Sequence, residues 1–414
     1  MMNEEKLVIT GVGACTPIGI GVPKYWESLI NGVCGVGPIT RFDASGLPVQ
    51  IAAEVKNFDP AAYMPKPLAR TMDPFMQYAY VAADEALRGS GLAVEAEADR
   101  VGIVMGTAMA GVGTVARTQQ KFSESGPRHV SPHFVPMIIG NVAAAQVAIA
   151  HGIRGPSLTV NTACSAGGDA IMTAAMLIRS GEAEAVLAVG GESILSPVVV
   201  AGLSQAKALS RRNDEPQLAS RPFDAGRDGF VIGEGGGALM IETLKHAQAR
   251  GAEILAVLAG YANTCDAYHV TAPRPEGEGA AACMRRSLKR AGFAPEEIGY
   301  VNAHGTSTML GDRAETLAVK SVFGGVESAP PVSSTKGATG HLMGAGGITE
   351  VIACIQAIRE GILPPTLNLT EPDPQCDLNY IPNHAVKAHI SAAMSNTLGF
   401  GGQNSSIIIK KYED

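Results

Sequence analysis

Short, almost unbroken apolar runs recur along the chain, each stopped by glycine or a polar residue. In the first half they are "KLVITGVG" (Lys6–Gly13), "RVGIVMG" (Arg100–Gly106), "SLTVNTA" (Ser157–Ala163) and "EAVLAVGG" (Glu184–Gly191). In the second half "EILAVLAGYA" (Glu253–Ala262), "GYVNAHG" (Gly299–Gly305), "PVSST" (Pro331–Thr335) and "SSIIIKK" (Ser405–Lys411) follow the same style. Strands without polar alternation are covered on both faces, which calls for helices above and below the sheet. Helical segments do lie between them. "GGDAIMTAAMLIRSG" ends at Arg179 with Gly181 placed to cap it, and Ile348, Val351, Ile352, Ile355 and Ile358 keep the 3.6-residue period. The expected class is therefore α/β. There is no low-complexity linker and no solenoid-length repeat, but the pattern restarts near Ala252–Glu253, suggesting two parts, residues 1–252 and 253–414.

The totals narrow the function classes. With 46% hydrophobic and 17% charged residues over 414 positions, a large core is available. The 32 basic and 39 acidic side chains leave a net charge of −7, against a general nucleic-acid binder. "MMNEEKLVITGVG" has no apolar signal region, and "MIIGNVAAAQVAIAHG" falls short of a bilayer span, so a cytoplasmic protein is expected. The seven cysteines are spaced 19, 130, 101, 18, 71 and 22 residues apart, with no CxxC pair, which disfavours a paired-cysteine zinc site and fits a reducing compartment. No metal site is expected. "GVGACTPIG" lacks the third glycine of a dinucleotide fingerprint, "RPFDAGRDGFVIGEGGGALMIE" lacks the Lys-Ser/Thr of a phosphate loop, and neither HExxH nor GxSxG occurs.

Three segments place reactive side chains just past strand ends. In "TVNTACSAGG", Cys164 stands between a strand and a helix start, where unpaired N–H groups and the helix dipole favour the thiolate, and small neighbours clear an approach. In "VNAHGTST", His304 caps a strand, and the following helix reads with Asp312 as N-cap and Glu315 completing a capping box. In "SSTKGATGHLMGAGG", Lys336 and His341 lie in a glycine-lined segment, costly to bury without partners such as Glu350, Asp312 or Glu315. Sites in α/β folds gather at strand ends. A cysteine with two histidines suggests acyl transfer through a thioester, the imidazoles serving as donors to a developing oxyanion or enolate.

Together with "NTLGFGGQNSS", these motifs resemble those of the β-ketoacyl-ACP synthases of the thiolase superfamily, most closely the type II condensing enzymes of fatty acid synthesis, from "VITGVGACTPIG" to "SSIIIKK". The resemblance implies a thiolase-like fold, two similar α/β halves in a five-layered αβαβα core, and normally a homodimer. It implies that Cys164 takes an acyl chain from acyl carrier protein (ACP), with the N–H groups of Cys164 and Phe400 as oxyanion hole. His304 and His341 would assist decarboxylation of malonyl-ACP, giving a β-ketoacyl-ACP two carbons longer. Lys336 would organise the site with Glu350, Asp312 and Glu315, while Thr306 and Thr308 touch the pantetheine arm. Gly399, Phe400, Gly401 and Gly402 would form a mobile gate. Met109 and Leu398 would bound the acyl pocket, departing from the isoleucine and second phenylalanine usual there. Lys66, Arg70, Arg128, Lys207, Arg211 and Arg212 are candidates for a basic patch facing the acidic carrier. No cofactor is implied, because the carrier brings the phosphopantetheine. The same motifs also fit the catalytic ketosynthase subunit of a type II polyketide system, paired with a related subunit lacking the cysteine.

Overall fold

Two sets of five strands repeat one order in the computed structural model of the protein, which describes residues 5–413; Met1–Glu4, part of the opening segment read above, lie outside the described residues. The first set comprises β1 (Leu7–Thr16), β2 (Val101–Gly106), β3 (Ser157–Val160), β4 (Ala185–Glu192) and β5 (Gly235–Thr243). It runs β3-β2-β4-β5-β1, with two parallel junctions and then two antiparallel ones. The second comprises β6 (Ala256–Cys265), β7 (Tyr300–Asn302), β8 (Val332–Ser333), β9 (Ala392–Gly399) and β10 (Gln403–Lys410). Its order, β8-β7-β9-β10-β6, has the same sequence of parallel and antiparallel pairings. The two sets meet where Leu7–Ile9 of β1 pairs with Ala256–Leu258 of β6.

Helices α1 (Pro74–Ser90), α2 (Asn141–His151), α3 (Ala166–Arg179), α4 (Glu278–Ala291), α5 (Met309–Phe323) and α6 (Gly346–Glu360) complete the layers. α1 and α2 cover the outer face of the first set, and α4, backed by α5, covers that of the second. α3 and α6 touch strands of both sets and form the middle layer, giving the αβαβα arrangement. Each interlayer space has its own apolar filling. Ile171, Leu239, Ile352, Ile355 and Ile407 pack at the centre, Phe75, Val101 and Met240 under α1, and Met284, Val301 and Met394 under α4. Their burial is the main favourable term holding the layers together.

The glycines of "CSAGG" serve this middle layer. A Cβ on Gly167 would lie 2.8 Å from the Gly344 carbonyl oxygen, and one on Gly347 would lie 2.7 Å from the Gly168 nitrogen. They let α3 and α6 touch backbone to backbone, which differs from the expected role of clearing a path for substrate. α3 ends as expected, with Gly181 at φ +79° just after Ser180. α5 does not: it begins at Met309, three residues before the expected N-cap at Asp312. Among the described residues no helix is long and apolar enough to cross a membrane.

Candidate active site

β3 stops at Val160, and the chain turns through Thr162 and Ala163, the latter at φ +51°, to present Cys164 at the head of α3. His304 follows β7, and His341 lies in the loop before α6, where its N–H donates to the Val231 carbonyl (2.8 Å) and its carbonyl accepts from Gly233 (2.9 Å). The Cys164 Sγ and a nitrogen of each imidazole lie within 4.8 Å of one another. The two rings meet edge to face, 5.1 Å between centroids at 84°. Three loops around this point hold non-glycine residues in the left-handed region, Ala163 (+51°), Ser307 (+71°) and Met343 (+47°). Such strain, about 1–3 kcal/mol each, persists only where surrounding contacts over-determine the backbone.

Electrostatics decide the resting state. Burial pushes the Cys164 thiol up to about 11, against the lowering pull of the Phe400 and Cys164 N–H groups and of the Lys336 charge. The thiolate expected from the helix terminus is therefore not the resting form, because desolvation outweighs the terminus. Burial, and then the same Lys336 charge, hold both imidazoles well below the usual histidine range, so both are neutral. His341 Nδ1 accepts the Met343 N–H at 3.3 Å, which leaves the ring proton on Nε2, a buried atom with no partner among the described residues. The site thus offers a thiol nucleophile and neutral N–H donors. A thiol with two imidazoles can also bind zinc, but Lys336, whose charge reaches all three groups, opposes a divalent ion there.

The three acids divide their duties. Glu350 alone forms an ion pair with Lys336, both side chains almost wholly buried. Glu315 accepts the N–H groups of His304 and Gly305, each at 2.8 Å, and so fixes the histidine loop instead of capping α5. Asp312 accepts from Ser307 (3.1 Å) and Phe223 (2.8 Å) and faces the buried Arg227 at 3.6 Å. The expected joint partnership of all three acids with Lys336 thus reduces to one ion pair and two backbone clamps. The second oxygen of Glu350, Oε2, is buried without a hydrogen-bond partner among the described residues.

A cavity of about 330 Å³ leads to Cys164, His304 and His341. Thr306 and Thr308 line its wall, their hydroxyls 3.1 Å apart, and Leu398, Gly399, Phe400 and Gly402 line it as well. Gly401 and Gly402 adopt φ of +84° and +73°, which only glycine tolerates easily, and a Cβ on Gly399 would stand 3.0 Å from the Thr162 carbonyl oxygen. Met109 does not line this cavity and is 41% exposed. Lys207 stands at the mouth, and Arg211 is joined to Asp228 of the same mouth through its N–H (3.0 Å). Lys66, Arg70 and Arg128 are exposed but do not line the cavity, and Arg212 is paired with Glu215 at 3.1 Å.

Sequence reasoning missed Glu192. This buried carboxylate, pushed up to about 7 by desolvation, accepts the N–H groups of Ala108 (2.5 Å), Met109 (3.1 Å) and Gly344 (3.1 Å). It ties the Met109 loop to the His341 loop. The signal was an acid closing the otherwise apolar strand "AVLAVGGE".

Residues 4–247 match the N-terminal domain, and residues 255–370 the C-terminal domain, of the beta-ketoacyl synthase family. The chain is 44% identical to the 3-oxoacyl-[acyl-carrier-protein] synthase 2 of Coxiella burnetii, over all of both chains. Among solved structures, the ishigamide ketosynthase/chain length factor superposes with a TM-score of 0.92 at 34% identity, covering 99% of this chain and 100% of that one. A type II PKS acyl-carrier protein in complex with its ketosynthase bound to the hexaketide gives 0.90 at 31%, with the same coverage. With the thiol, the two neutral imidazoles and the glycine gate converging on one cavity, these matches show that the chain belongs to the β-ketoacyl synthase family.

Proposed function

We propose that this chain is a 3-oxoacyl-ACP synthase that elongates fatty acyl chains, with Cys164 carrying the growing acyl group. The observation that carries the residue assignment is the meeting of a buried thiol with two uncharged imidazoles at the base of one cavity. In the first half-reaction the Cys164 sulfur attacks the thioester carbonyl of acyl-ACP. The acyl group moves to Sγ, and the departing pantetheine sulfur takes up the proton that the thiol gives up. The N–H groups of Cys164 and Phe400 stabilise the tetrahedral oxyanion. In the second half-reaction the carboxylate of malonyl-ACP leaves as CO2, and its bonding pair passes into an enolate whose oxygen accepts hydrogen bonds from His304 and His341. The enolate carbon then attacks the acyl carbonyl, and Cys164 leaves as the thiolate. A neutral imidazole N–H is a weak acid, so it stabilises the enolate without protonating the carbon that must react.

Lys336 and its partner Glu350 hold the local charge, Glu315 and Asp312 hold the loops, and Thr306 and Thr308 offer hydroxyls to the pantetheine arm. Phe400, between Gly399 and the Gly401–Gly402 pair, gates entry. The enzyme needs no cofactor of its own, since the phosphopantetheine arrives on the carrier. Lys207 and Arg211 at the mouth are the favoured docking cations, with Lys66, Arg70 and Arg128 further out. The working partition is residues 1–252 carrying the nucleophile and residues 253–414 carrying the histidines and the gate, in a cytoplasmic protein.

We further infer a homodimer through β3. Among the described residues this strand pairs only with β2, leaving an open edge, and Met109, Val115, Phe122, Val135 and Leu158 are exposed apolar side chains in the same stretch of chain. Open edges and contiguous apolar surface are normally covered. A second copy there would enclose Met109 and make it a wall of the acyl pocket beside Leu398. Light scattering is expected to give twice the chain mass, and a monomer at micromolar concentration would refute the dimer.

The function is tested by incubating the protein with primers of different length on ACP and with malonyl-ACP. Intact-mass analysis is expected to show one acyl adduct, on Cys164, and products two carbons longer. Activity that appears only when a second, related subunit is added would favour the polyketide reading. An adduct that persists in Cys164→Ala would overturn the assignment.

A further inference from the structure

The oxyanion hole proposed above is split between the two halves of the chain. One N–H, of Cys164, sits on the elbow after β3, while the other, of Phe400, sits on the turn between β9 and β10. Both N–H groups lower the proton affinity of the same sulfur, yet they are about 240 residues apart in sequence and belong to different strand sets. Their mutual register must be held to a few tenths of an ångström for an oxyanion to accept from both at once.

We propose that Asp169 is the positioning residue that sets this register. Its side chain is 2% exposed and lies in the first turn of α3. Its Oδ2 accepts the Thr162 hydroxyl at 2.5 Å and lies 3.3 Å from the Ser165 hydroxyl, which shares its proton with the Thr162 carbonyl at 2.8 Å, so one carboxylate oxygen and the hydroxyls around it brace both sides of the strained Ala163–Cys164 elbow. Its Oδ1 accepts the Asn263 side-chain N–H at 2.8 Å. Asn263 lies on β6 and is the register partner of Ser405 on β10, the strand that leads back to Phe400. Asp169 thus bonds to the nucleophile elbow with one oxygen and, with the other, to β6, the strand that pairs with β10 behind the gate. The gate is also in direct contact with the elbow, because a Cβ on Gly399 would lie 3.2 Å from the Ser165 nitrogen and 3.3 Å from that of Cys164. A carboxylate suits the post because it accepts on both oxygens, whereas an amide accepts on only one.

The proposal rests on the β-ketoacyl synthase reading, and the test separates the two. Acyl transfer from dodecanoyl-ACP to Cys164 forms an oxyanion. Alkylation of Cys164 by iodoacetamide is a direct displacement and does not. Asp169→Asn is expected to slow acyl transfer about thirtyfold, somewhat less than outright loss of an oxyanion donor, and to leave alkylation within about threefold. Asn263→Ala, which cuts only the gate-side link, is expected to slow acyl transfer about tenfold with alkylation again unchanged. Alkylation is followed on the Cys164 peptide, because Cys265 is exposed and reacts as well. Unchanged acyl transfer, or a parallel fall in both rates, overturns the role. If Asp169→Asn gives no cooperative thermal transition, the Asn263→Ala pair of rates decides alone. Failure of the wild-type chain to accept the acyl group, while its Cys164 alkylates normally, sinks the synthase reading and this proposal with it.

Discussion

His304→Ala and His341→Ala are each expected to cut CO2 release from malonyl-ACP about 10²–10³-fold, the scale of losing one preorganised donor to a developing oxyanion. Acylation of Cys164 should stay within about tenfold of wild type. The split follows from where charge develops. On the proposed mechanism the acylation oxyanion forms between the Cys164 and Phe400 N–H groups, and the imidazoles stand aside. In decarboxylation the enolate oxygen forms at the imidazoles, which burial and Lys336 keep neutral. His341 is the better prepared donor, since the Met343 N–H on Nδ1 commits its proton to the unpartnered Nε2. CO2 counted from carboxyl-labelled malonyl-ACP, set beside intact-mass acylation rates, measures both halves. Equal losses in the two would make the histidines structural. Because both rings are already uncharged, the imidazoles should add no titration of their own to the decarboxylation rate between about pH 6 and 8, and any slope there should disappear in the Glu192→Gln variant.

The layered architecture was legible because buried strands leave a coarse signal. Val186–Val189 of β4 and Ile407–Ile409 of β10 are apolar on both faces, and helices at the 3.6-residue period lie between such runs. Boundaries were less legible where polar residues act at a distance. Asp312 and Glu315 fit a capping box, and nothing local shows that their acceptors are spent on the loops at His304 and Ser307. The sequence places Lys336 near three acids; which one it pairs with depends on α6 crossing it in space, and only Glu350 lies on that helix. Glu192 and Asp169 went unassigned for a related reason. Each is an isolated acid in an apolar or small-residue stretch, and its partners (Met109 and Gly344, or Asn263) are many tens of residues away. Met109 shows the limit from the other side: expected at the acyl pocket, it lies outside the cavity and is largely exposed.

The rate of Cys164 alkylation in the free enzyme is expected to rise about tenfold per pH unit, some hundredfold from pH 7 to pH 9, and to vanish in Cys164→Ala. The thiolate is the reacting species, and with the thiol pushed up to about 11 its fraction grows in proportion to hydroxide throughout that range. Two opposing effects are being weighed. The start of α3, the Phe400 N–H and the Lys336 charge all stabilise the anion, while complete burial and the Glu192 carboxylate oppose it. Had the first set won, the profile would level off near pH 6–7, and such a plateau would mean that the donors outweigh burial. A resting thiol has a consequence for the reaction. On the proposed mechanism, loss of the Cys164 proton at neutral pH is favoured when a pantetheine thioester fills the cavity, because the leaving sulfur receives the proton and two N–H donors face the new oxyanion. The nucleophile is in this sense generated by its substrate, and a gate built on Gly399, Gly401 and Gly402 is placed where filling the cavity must move it.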